Sequence, residues 1–538
     1  MATTEGARPA ACGRAMVATS QPLAAQAGLA TIRRGGNAVD AALAAAITLT
    51  VVEPVSNGIG GDLFAQVWAP GSGDAPQVLN GSGRAPRAWT PERFDGRSTM
   101  PLTGWDSVTV PGAPAGWWRL SERAGRLPFS ALFVDAIRIA EDGFEVTPVV
   151  AAKWAREARR LDAQPGFAAQ FLPGGRPPAA GDRFRPPHVA DTLREIAASG
   201  ARSVYRGPLA DAIARAARDG GAALDADDLE RAWSDEGWVA PLHLDHAGAR
   251  LFVPPPNGQG VTLLQALGIL ARTGAPKLPW SSPQAQHLAI ESLKLAFVDT
   301  YRALADPASM DESPQDWLRP ERLDAQAARV DAGRAGAYGA AVPPWGGTVT
   351  VAAADAQGAM VALIQSNFVG FGSGVVVPGT GIALHDRGAG FTLAPGHPNR
   401  VGGGKRPLHT IFPTLVTRDG RAVASLGVTG GPIQPQGQLQ VLMRLLHDGV
   451  DPQVAVSGPR WKIEHRADGL QLDVEPTVEP GLVDALRSRG HAPGAPGITG
   501  DDFGGAFAIV RDDRAADGAI RWIGGADPRR DGCVAAGD

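Results

Sequence analysis

The chain has 538 residues and a formal net charge of −4, so it is long enough to bury a large core and carries no excess of basic residues. This balance argues against a nucleic acid or an acidic membrane surface as a partner, and no basic cluster interleaved with aromatic residues occurs. Only Cys12 and Cys533 are present, which excludes a disulfide framework and a cysteine metal motif.

The N-terminal stretch, residues 1–13, is predicted to be a loose tail. It lacks the apolar core of a cleaved signal. The longest apolar run, residues 41–52, is shorter than the roughly 20 residues that a membrane-spanning helix needs. We therefore expect a soluble, cytoplasmic protein with no membrane partner.

Helices are predicted to dominate the first part of the chain. Residues 18–54 contain two of them, because Gly35 and Gly36 are typical of a helix end and Asn37 suits the N-cap of the next helix. Further helices are predicted, from apolar periodicity or a buried apolar run, within residues 126–146, 254–270 and 281–307.

The pattern changes near residue 348. Residues 306–347 combine a helix with a stretch rich in Gly, Ala and Pro. Residues 348–366 are typical of a hairpin that turns at residues 356–358. Further strands or hairpins are predicted at residues 383–391, 413–428 and 505–513, and a helix at residues 433–449. This order favours layered helices and strands in one large unit over several separate domains.

Thr348 follows Gly346 and Gly347 where the first of these strands begins. A hydroxyl is a weak nucleophile without a base, and no His or Asp lies at short spacing. Cleavage of the Gly347–Thr348 bond would supply a base, because the new α-amine has a pKa of about 7.7–8.0 and can accept the hydroxyl proton. The glycines would let Thr348 Oγ1 reach the preceding carbonyl. Gly-Gly-Thr is also an ordinary turn before a strand, and the tripeptide alone leaves both interpretations open.

Ordered motifs along almost the whole chain resemble the γ-glutamyltransferase (glutathione hydrolase) family of N-terminal-nucleophile hydrolases. These motifs are RRGGNAVDAALAAA, VVEPVSNGIGGDLF, SVTVPGAPAGW, ESLKLAFVDTYRALADP, FVGFGSGVVVPGTGI, GKRPLHTIFPTLV, GVTGGPIQPQGQLQ and GGADPRRDG. The resemblance implies an α+β fold, a four-layer αββα sandwich formed by both halves of a self-cleaved precursor. Cleavage between Gly347 and Thr348 would give a large subunit, residues 1–347, and a small subunit, residues 348–538, interleaved as one domain.

The resemblance also implies roles at a reaction centre. Thr348 would be the nucleophile, and Ser366 matches a family Thr whose hydroxyl bonds to it. Gly430 and Gly431 match the pair whose backbone N–H groups form the oxyanion hole, where glycine leaves room for close approach. From the residues alone, Ser366 can also be a surface serine and the glycines a tight turn before a helix. No metal or organic cofactor is implied.

The family's γ-glutamyl clamp is altered here. Ser82 occupies the slot of the Arg that binds the substrate α-carboxylate, Gly390 the slot of the Asp that binds the α-amine, and Phe368 the slot of an Asn. His409 replaces one of two serines, while Thr410 keeps a hydroxyl at the other. Without the bidentate Arg and its companion carboxylate, a buried zwitterion would be poorly bound, so a different substrate is expected.

Two arginines near the lost slots are candidates for binding a small carboxylate. Arg387 precedes the Gly390 slot and Arg84 follows the Ser82 slot, although each is equally typical of a structural arginine. His409 is expected either to bond the substrate or to pack, and Phe368 to narrow the pocket.

The leading hypothesis is a self-processing amidohydrolase that cleaves a small amide. Residues 366–382 resemble the family branch that includes oxamate amidohydrolase and cephalosporin-acylase-like enzymes, so an oxamate-like substrate is expected. Hydrolysis or transfer of γ-glutamyl compounds is a second hypothesis, and a non-enzymatic binding scaffold is a third. A higher oligomer of the two-subunit unit stays open.

Overall fold

The computed structural model describes residues 9–339, 346–466, 469–494, 503–513 and 519–538. The strands in these ranges are β1 (Ala11–Gly13), β2 (Ala15–Thr19), β3 (Asp62–Trp68), β4 (Gln77–Gly81), β5 (Phe144–Glu145), β6 (Arg183–Phe184), β7 (Trp238–Val239), β8 (Leu242–His246), β9 (Ala249–Val253), β10 (Gly347–Ala354), β11 (Met360–Phe368), β12 (Val376–Val377), β13 (Ile382–Ala383), β14 (Thr414–Arg418), β15 (Arg421–Val428), β16 (Trp461–Arg466), β17 (Gly469–Val474), β18 (Pro493–Gly494), β19 (Ala506–Arg511), β20 (Trp522–Ala526) and β21 (Cys533–Gly537).

Two seven-stranded antiparallel sheets form the centre of the molecule. Sheet I has the strand order β21-β2-β10-β11-β3-β4-β7, and sheet II the order β1-β20-β19-β15-β14-β9-β8. Each sheet contains strands from both sides of residue 348. The parts of the chain before and after Thr348 are therefore interleaved in one structure.

Helices cover the outer face of each sheet. The α-helices in the described ranges are α1 (Pro22–Arg33), α2 (Ala38–Val52), α3 (Ala113–Ala124), α4 (Val134–Asp142), α5 (Pro148–Leu161), α6 (Phe167–Phe171), α7 (Val189–Ser199), α8 (Pro208–Asp219), α9 (Ala226–Ser234), α10 (Gly260–Leu270), α11 (Pro283–Ala303), α12 (Pro320–Ala327), α13 (Ile433–Leu442), α14 (Pro452–Ser457) and α15 (Pro480–Ser488).

The layers follow the order helix, sheet, sheet, helix. Helices α1 and α2 pack on sheet I, and α10, α13 and α14 pack on sheet II. The inner faces of the two sheets meet through a core that includes Met16, Ala352, Met360, Phe507 and Trp522. The αββα sandwich expected from the resemblance is thereby confirmed. Among the residues described, no helix is long and apolar enough to cross a membrane.

Helix α2 supports the central strands of sheet I. Every residue of α2 is buried, and Asn37 caps its N-terminus by accepting hydrogen bonds from two backbone N–H groups, as predicted. The Asp355 carboxylate, in the turn between β10 and β11, accepts the N–H of Ala38 at 3.0 Å. An acidic group at a helix N-terminus is favourable, so this contact fixes the hairpin against α2.

Strand β10 presents alternate residues to the two faces of sheet I. Val349, Val351 and Ala353 lie in the core beneath the helices, whereas Ala352 and Ala354 lie in the core between the sheets. Because side chains alternate along a strand, even-numbered residues of β10 are turned toward sheet II.

Three predicted segments differ from the structure. Residues 11–13 are not a loose tail, because β1 pairs with β20; residues 1–8 lie outside the described residues. Residues 126–146 form a 3₁₀ turn, α4 and the short strand β5, because α4 stops at Asp142 and is followed by Gly143, whose φ of 77° is left-handed. Beyond β13, which ends at Ala383, residues 384–391 form no strand and contain a 3₁₀ turn at Arg387–Gly390, where two glycines allow a tight turn. Part of the predicted Gly-rich stretch, residues 340–345, is not described.

Candidate active site

Thr348 lies at a local irregularity of sheet I. Gly347 pairs with Phe368 and Val349 pairs with Gln365, so two residues of β11 oppose Thr348 alone. A β-bulge of this kind increases the local twist and redirects a side chain. The bulge therefore sets the direction of the Thr348 side chain at the start of β10.

The hydroxyl of Thr348 is held at the carbonyl that precedes it. Thr348 is 3% exposed, and its Oγ1 donates to Gly347 O at 2.5 Å. Ser366 Oγ lies 3.3 Å from Thr348 Oγ1 and donates to the same carbonyl oxygen at 2.5 Å. Ser366 Oγ also accepts the Phe368 N–H at 2.8 Å. The structure thus brings Thr348, Gly347 and Ser366 together, with two hydroxyls polarising one carbonyl.

The backbone at Gly346 passes directly over Gly430 and Gly431. A Cβ on Gly346 would lie 2.3 Å from the carbonyl carbon of Gly430 and from the nitrogen of Gly431, which real Cβ atoms do not approach. Gly430 and Gly431 have left-handed φ values of 112° and 72°. Only glycine adopts these values without strain, so three glycines together permit this close contact.

Arg387 lies next to Ser366 and is fully buried. Its guanidinium donates to Thr410 Oγ1 at 3.1 Å and to Ser366 Oγ at 3.4 Å, and the Phe368 ring centroid is 4.1 Å from its Cζ. No carboxylate of the described residues lies within ion-pair distance of it. Burial lowers the pKa of Arg387 to about 10, so the group stays charged at neutral pH. A buried cation that contacts only hydroxyls and a ring is suited to an anionic ligand.

Phe368 holds an unusual backbone conformation. Its φ is 76°, in the left-handed region that bulky residues rarely adopt. The ring covers the Arg387 guanidinium, while the backbone of the same residue pairs with Gly347. Phe368 therefore forms a wall beside Arg387 and lines the larger of the two cavities described below.

Asp62 is a buried carboxylate that the sequence did not single out. It stands opposite Ser366 in the pairing of β3 with β11. His409 Nε2 donates to Asp62 Oδ2 at 3.1 Å, and His385 Nδ1 is 3.4 Å from the same oxygen. Burial alone would raise the pKa of Asp62, but His385, His409 and Arg387 outweigh it and the pKa is lowered. Asp62 is thus a fixed negative charge behind Ser366.

His409 belongs to this buried group and does not line any of the cavities described below. Burial lowers its pKa to about 3, so the ring is neutral. The Ile411 N–H is donated to His409 Nδ1 at 3.3 Å, while Nε2 donates to Asp62. Both ring nitrogens are occupied, so of the two alternatives for His409 the structure favours packing over contact with a substrate.

Several buried polar atoms near Ser366 have no hydrogen-bond partner among the described residues. They are both amide atoms of Asn367, Asp386 Oδ2 and Arg387 Nε. Asp386 Oδ1 accepts the Val369 N–H at 3.0 Å, and burial raises the pKa of Asp386 to about 7. Unsatisfied polar groups are rare in protein interiors, and such a concentration is typical of a functional site.

Two cavities flank the turn formed by Phe368 and Val369. The smaller, about 210 Å³, is lined by Thr348, Gly430, Val369 and several charged residues, and we call it the charged cavity. The larger, about 650 Å³, is lined by Phe368, Thr410 and Gly390 among others. No Asp, Glu, Lys or Arg among the residues described lines it, and we call it the uncharged cavity.

Ser82 and Arg84 do not join this site. Both line a third cavity of about 640 Å³, which shares no lining residue with the other two. Ser82 Oγ donates to Asn80 Oδ1 at 2.6 Å. Arg84 is paired with Asp235 at 3.1 Å and with Asp306 at 3.3 Å. The structure therefore places these two residues at a different cavity from the one that Thr348 lines.

Asp62, Asn367 and Asp386 are the residues of the site that sequence reasoning missed. Asp62 ends the GIGGD segment, and the signal that the sequence offers for it is an acidic residue at the start of an apolar strand. Asp386 directly precedes Arg387 in the sequence, but only the three-dimensional turn shows that the two do not pair. Asn367 lies between Ser366 and Phe368, and only the bulge seen in the structure identifies it as a residue of the site.

Comparison with known proteins places these features in context. The family model described as gamma-glutamyltranspeptidase matches residues 24–537. The chain is similar to the oxamate amidohydrolase proenzyme of Klebsiella pneumoniae subsp. pneumoniae, with 36% identity over 97% of this chain and 98% of that protein. It is 34% identical to the glutathione hydrolase-like YwrD proenzyme of Bacillus subtilis, over 96% and 98% of the two chains.

The fold comparison agrees with the sequence comparison. The crystal structure of cephalosporin acylase from Bacillus halodurans superposes with a TM-score of 0.92 and 40% identity, covering 100% of this chain and 98% of that one. The resemblance stated from the sequence motifs is confirmed by these matches. The chain belongs to the gamma-glutamyltranspeptidase family.

Proposed function

We propose that this protein is an amidohydrolase in which Thr348, once it is a chain terminus, attacks the carbonyl of an amide substrate. The observation that carries the proposal is the contact of Thr348 Oγ1 with the Gly347 carbonyl, supported by Ser366. Relatives named as proenzymes are consistent with activation by cleavage. Subunits of residues 1–347 and 348–538 would remain interleaved through the two sheets.

Self-processing would begin at the intact Gly347–Thr348 bond. Thr348 Oγ1 adds to the Gly347 carbonyl carbon, its proton passes to the Thr348 nitrogen, and the C–N bond breaks. The acyl group has then moved from the nitrogen to the oxygen as an ester, and the nitrogen is a free amine. Water then hydrolyses the ester, which leaves a carboxylate on Gly347 and frees the hydroxyl of Thr348. The hydrogen bond from Ser366 Oγ to the Gly347 carbonyl favours this reaction because it stabilises the negative charge that develops on the carbonyl oxygen.

Turnover would use the freed α-amine as the base. The amine accepts the proton of Oγ1 as Oγ1 attacks the substrate carbonyl, and the N–H groups of Gly430 and Gly431 stabilise the oxyanion. Collapse of this intermediate returns the proton to the leaving amine and forms an acyl-threonine. Water, deprotonated by the same amine, then releases the acid. This route draws only on groups of the chain and water.

Arg387 would select a carboxylate close to the scissile bond. Thr348 Oγ1 lies 3.3 Å from Ser366 Oγ, which lies 3.4 Å from the guanidinium, so the cation can be no farther from the nucleophile than these two lengths together. A carboxylate one or two bonds from the attacked carbonyl fits that span. Oxamate has this arrangement, and it is the named substrate of a relative.

Gamma-glutamyl hydrolysis or transfer is the second candidate, and the altered clamp disfavours it. Gly390 offers no carboxylate for the substrate amine, and Ser82 is bonded to Asn80 in a different cavity. A binding scaffold without catalysis is the third, and the ordered contacts of Thr348, Gly347 and Ser366 disfavour it. Each alternative predicts a result that the following experiment separates.

The test compares wild type with Thr348→Ala by denaturing gel and mass spectrometry, and by hydrolysis of oxamate and a chromogenic γ-glutamyl anilide. Wild type should split into two chains, the smaller beginning at Thr348, and should hydrolyse oxamate. Thr348→Ala should remain one chain of 55.6 kDa and lose activity by at least about 10⁴-fold. Thr350→Ala, in the same strand, is the matched control and should be processed normally.

Three results would count against the proposal. An uncut wild type that is fully active would rule out the terminal threonine, and cleavage at another bond would do the same. Strong turnover of the anilide with none of oxamate would favour the γ-glutamyl alternative. A protein that neither splits nor hydrolyses either compound would support the scaffold.

A further inference from the structure

The two glycines proposed as the oxyanion hole need support from outside their own turn. Gly430 and Gly431 have left-handed φ values of 112° and 72°, which glycine adopts freely. The same freedom allows many other conformations, whereas an oxyanion hole needs N–H groups that are fixed before the reaction. Groups outside the turn must therefore restrict its conformation.

The turn is held at both of its ends by hydrogen bonds. Before it, the Thr429 N–H donates to Gly505 O at 2.9 Å, and the Gly505 N–H donates to Thr429 Oγ1 at 3.0 Å. After it, Gly431 O accepts the N–H of Gln434, in the first turn of α13, at 3.0 Å. Because a carbonyl oxygen has two lone pairs, Gly431 O can accept a second hydrogen bond.

The side chain of Gln259 supplies this second hydrogen bond. It is fully buried, and its Nε2 donates to Gly431 O at 3.0 Å and to Thr410 O at 2.7 Å. An amide nitrogen carries two N–H groups, so the two bonds use both of its donors. The two carbonyls also determine the orientation of the amide, because a flipped group would place its oxygen against both of them. Gln259 therefore bridges Gly431 and Thr410.

The loop that carries Thr410 is fixed independently of this side chain. The backbone N–H of Gln259 donates to His409 O at 2.9 Å, and the His409 N–H donates to Asn257 O at 2.8 Å. His409 Nε2 donates in addition to Asp62 Oδ2. The Thr410 end of the bridge is thus held by several other bonds, and the Gln259 side chain holds Gly431 at a set distance from it.

Gly431 lies beside the chain that leads to the scissile bond. A Cβ on Gly346 would be 2.3 Å from Gly431 N, and Gly347, the next residue, carries the carbonyl that Thr348 Oγ1 contacts. A small displacement of Gly431 would therefore change the distance between its N–H and an oxyanion formed at Thr348. Such a change matters because a hydrogen bond weakens when its distance and angle depart from the preferred values.

We propose that Gln259 is a positioning residue of the reaction, which holds the Gly431 N–H in place for the oxyanion by tying the Gly431 carbonyl to the Thr410 loop. This inference rests on the proposed function for the role of Gly431 in turnover. It goes beyond that function in adding a residue from the N-terminus of α10. Self-cleavage does not depend on Gln259, because the Gly347 carbonyl is supported by Ser366 instead.

The first test is the Gln259→Met variant, which keeps the size of the side chain and removes both donors. We expect kcat for oxamate to fall by about tenfold or more with KM nearly unchanged, because an interaction made only in the transition state is weakened. For oxamide, which has no carboxylate, kcat should fall by the same factor, and cleavage before Thr348 should be complete. An unchanged kcat, or a change confined to KM, would overturn the proposal.

Gln265→Met is the matched control. Gln265 lies on α10, is fully buried and, like Gln259, has an Oε1 without a partner among the described residues. Its Nε2 donates instead to Asp299 Oδ2 at 2.6 Å. This substitution should lower the free energy of unfolding and leave kcat for oxamate unchanged. An equal loss of kcat in the two variants would show a general effect of removing a buried amide from this region, and would overturn the proposal.

Gln259→Glu covers the case in which methionine prevents folding. Glutamate has the same shape, but its carboxylate donates no hydrogen bond and repels both carbonyl oxygens, so kcat should fall at least as far as in Gln259→Met. If neither variant yields folded, cleaved enzyme while Gln265→Met does, Gln259 has a structural role and the proposal is overturned.

The kinetics of wild type separate this inference from the proposed function. A wild type that hydrolyses neither oxamate nor oxamide would overturn both. An active wild type together with an equally active Gln259→Met would overturn this inference alone and leave the proposed function intact.

Discussion

Two fully buried arginines, Arg387 and Arg460, differ in the groups that surround their guanidinium charge. Arg460 forms an ion pair with Asp527 at 2.6 Å and donates to three backbone carbonyls. Arg387 follows Asp386 directly but does not pair with it, and it contacts only two hydroxyls and a ring. Burial lowers the pKa of both guanidiniums to about 10, and both leave Nε without a partner.

The two arginines are equally buried and differ in that Arg387 has no carboxylate in direct ion-pair contact, although Asp62 and Asp386 act on its charge without such a contact. In a buried ion pair with satisfied hydrogen bonds, each charge is compensated by its partner, so the pair has a structural role and neither charge is available to a ligand. A buried cation without a bonded carboxylate remains free to bind an anion that enters the site. Arg460 links the backbone at Val456 to that at residues 503–504. Arg387 lies beside Ser366, where its charge is available to an anionic ligand.

The largest expected effect comes from removing each cation in turn. Arg387→Gln should lower kcat/KM for oxamate by about 10²–10³-fold, because truncating one partner of a buried charge pair costs about 2–5 kcal/mol. Its free energy of unfolding should fall less than that of Arg460→Gln, since only the attraction to Asp62 without a direct contact is lost and no ion pair is broken. Arg460→Gln should destabilise the protein by about 3–5 kcal/mol, because Asp527 is left buried without its counterion.

Urea unfolding and steady-state kinetics of both variants decide this point. A destabilised Arg387→Gln with unchanged kinetics would show that Arg387 is a structural residue like Arg460. Arg387→Lys serves as a further control, because lysine keeps the charge but loses the planar geometry for a bidentate carboxylate. It should retain stability and recover only part of kcat/KM.

Asp386, which precedes Arg387, and Asp527, which pairs with Arg460, should make the free energy of unfolding depend on pH in opposite directions. Burial raises the pKa of Asp386 to about 7, above its ordinary value of 3.8, so its protonated form is favoured in the folded state. The stability linked to this group is complete at acid pH and is lost as pH rises toward 7. Burial would also raise the pKa of Asp527, but Arg460 and Arg529 lower it, so its contribution is present at neutral pH and lost on acidification.

The corresponding variants are Asp386→Asn and Asp527→Asn, compared by urea unfolding at pH 5 and pH 8. Asp386→Asn should gain a few kcal/mol relative to wild type at pH 8 and less at pH 5. Asp527→Asn should lose stability at pH 8 and lose less at lower pH. Parallel pH profiles for the two variants would contradict the distinction between the two arginines.

The sequence predicted many of the strands and helices, because these depend on local pattern. The Asn37 cap and the hairpin turning at residues 356–358 are of this kind. The four-layer arrangement and the contact of Thr348 with Ser366 were expected only from the resemblance to family motifs. The sequence could not predict which residues a charged side chain contacts in the fold.

Arg84 and Arg387 illustrate that limit. The sequence makes both of them candidates, because each lies near a lost clamp position. Arg84 is neutralised by Asp235 and Asp306, which lie far from it in sequence, while Arg387 has no such partner. Long-range packing therefore decides whether an arginine forms an ion pair. The same holds for Asp62, whose role follows only from its position opposite Ser366 across two strands.

The smallest expected effect concerns the hydroxyl that positions Arg387. Thr410→Val removes the oxygen that accepts from the guanidinium at 3.1 Å and keeps the volume of the side chain. A hydrogen bond to a charged group contributes about 1.5–3 kcal/mol, so kcat/KM for oxamate should fall by roughly 10–100-fold, while cleavage before Thr348 proceeds. Thr410→Ser keeps the hydroxyl and should restore most of the activity. Equal activity of Thr410→Val and Thr410→Ser would show that the hydroxyl does not orient Arg387. The proposed difference between Arg387 and Arg460, which is fixed by backbone carbonyls, would then lose its support.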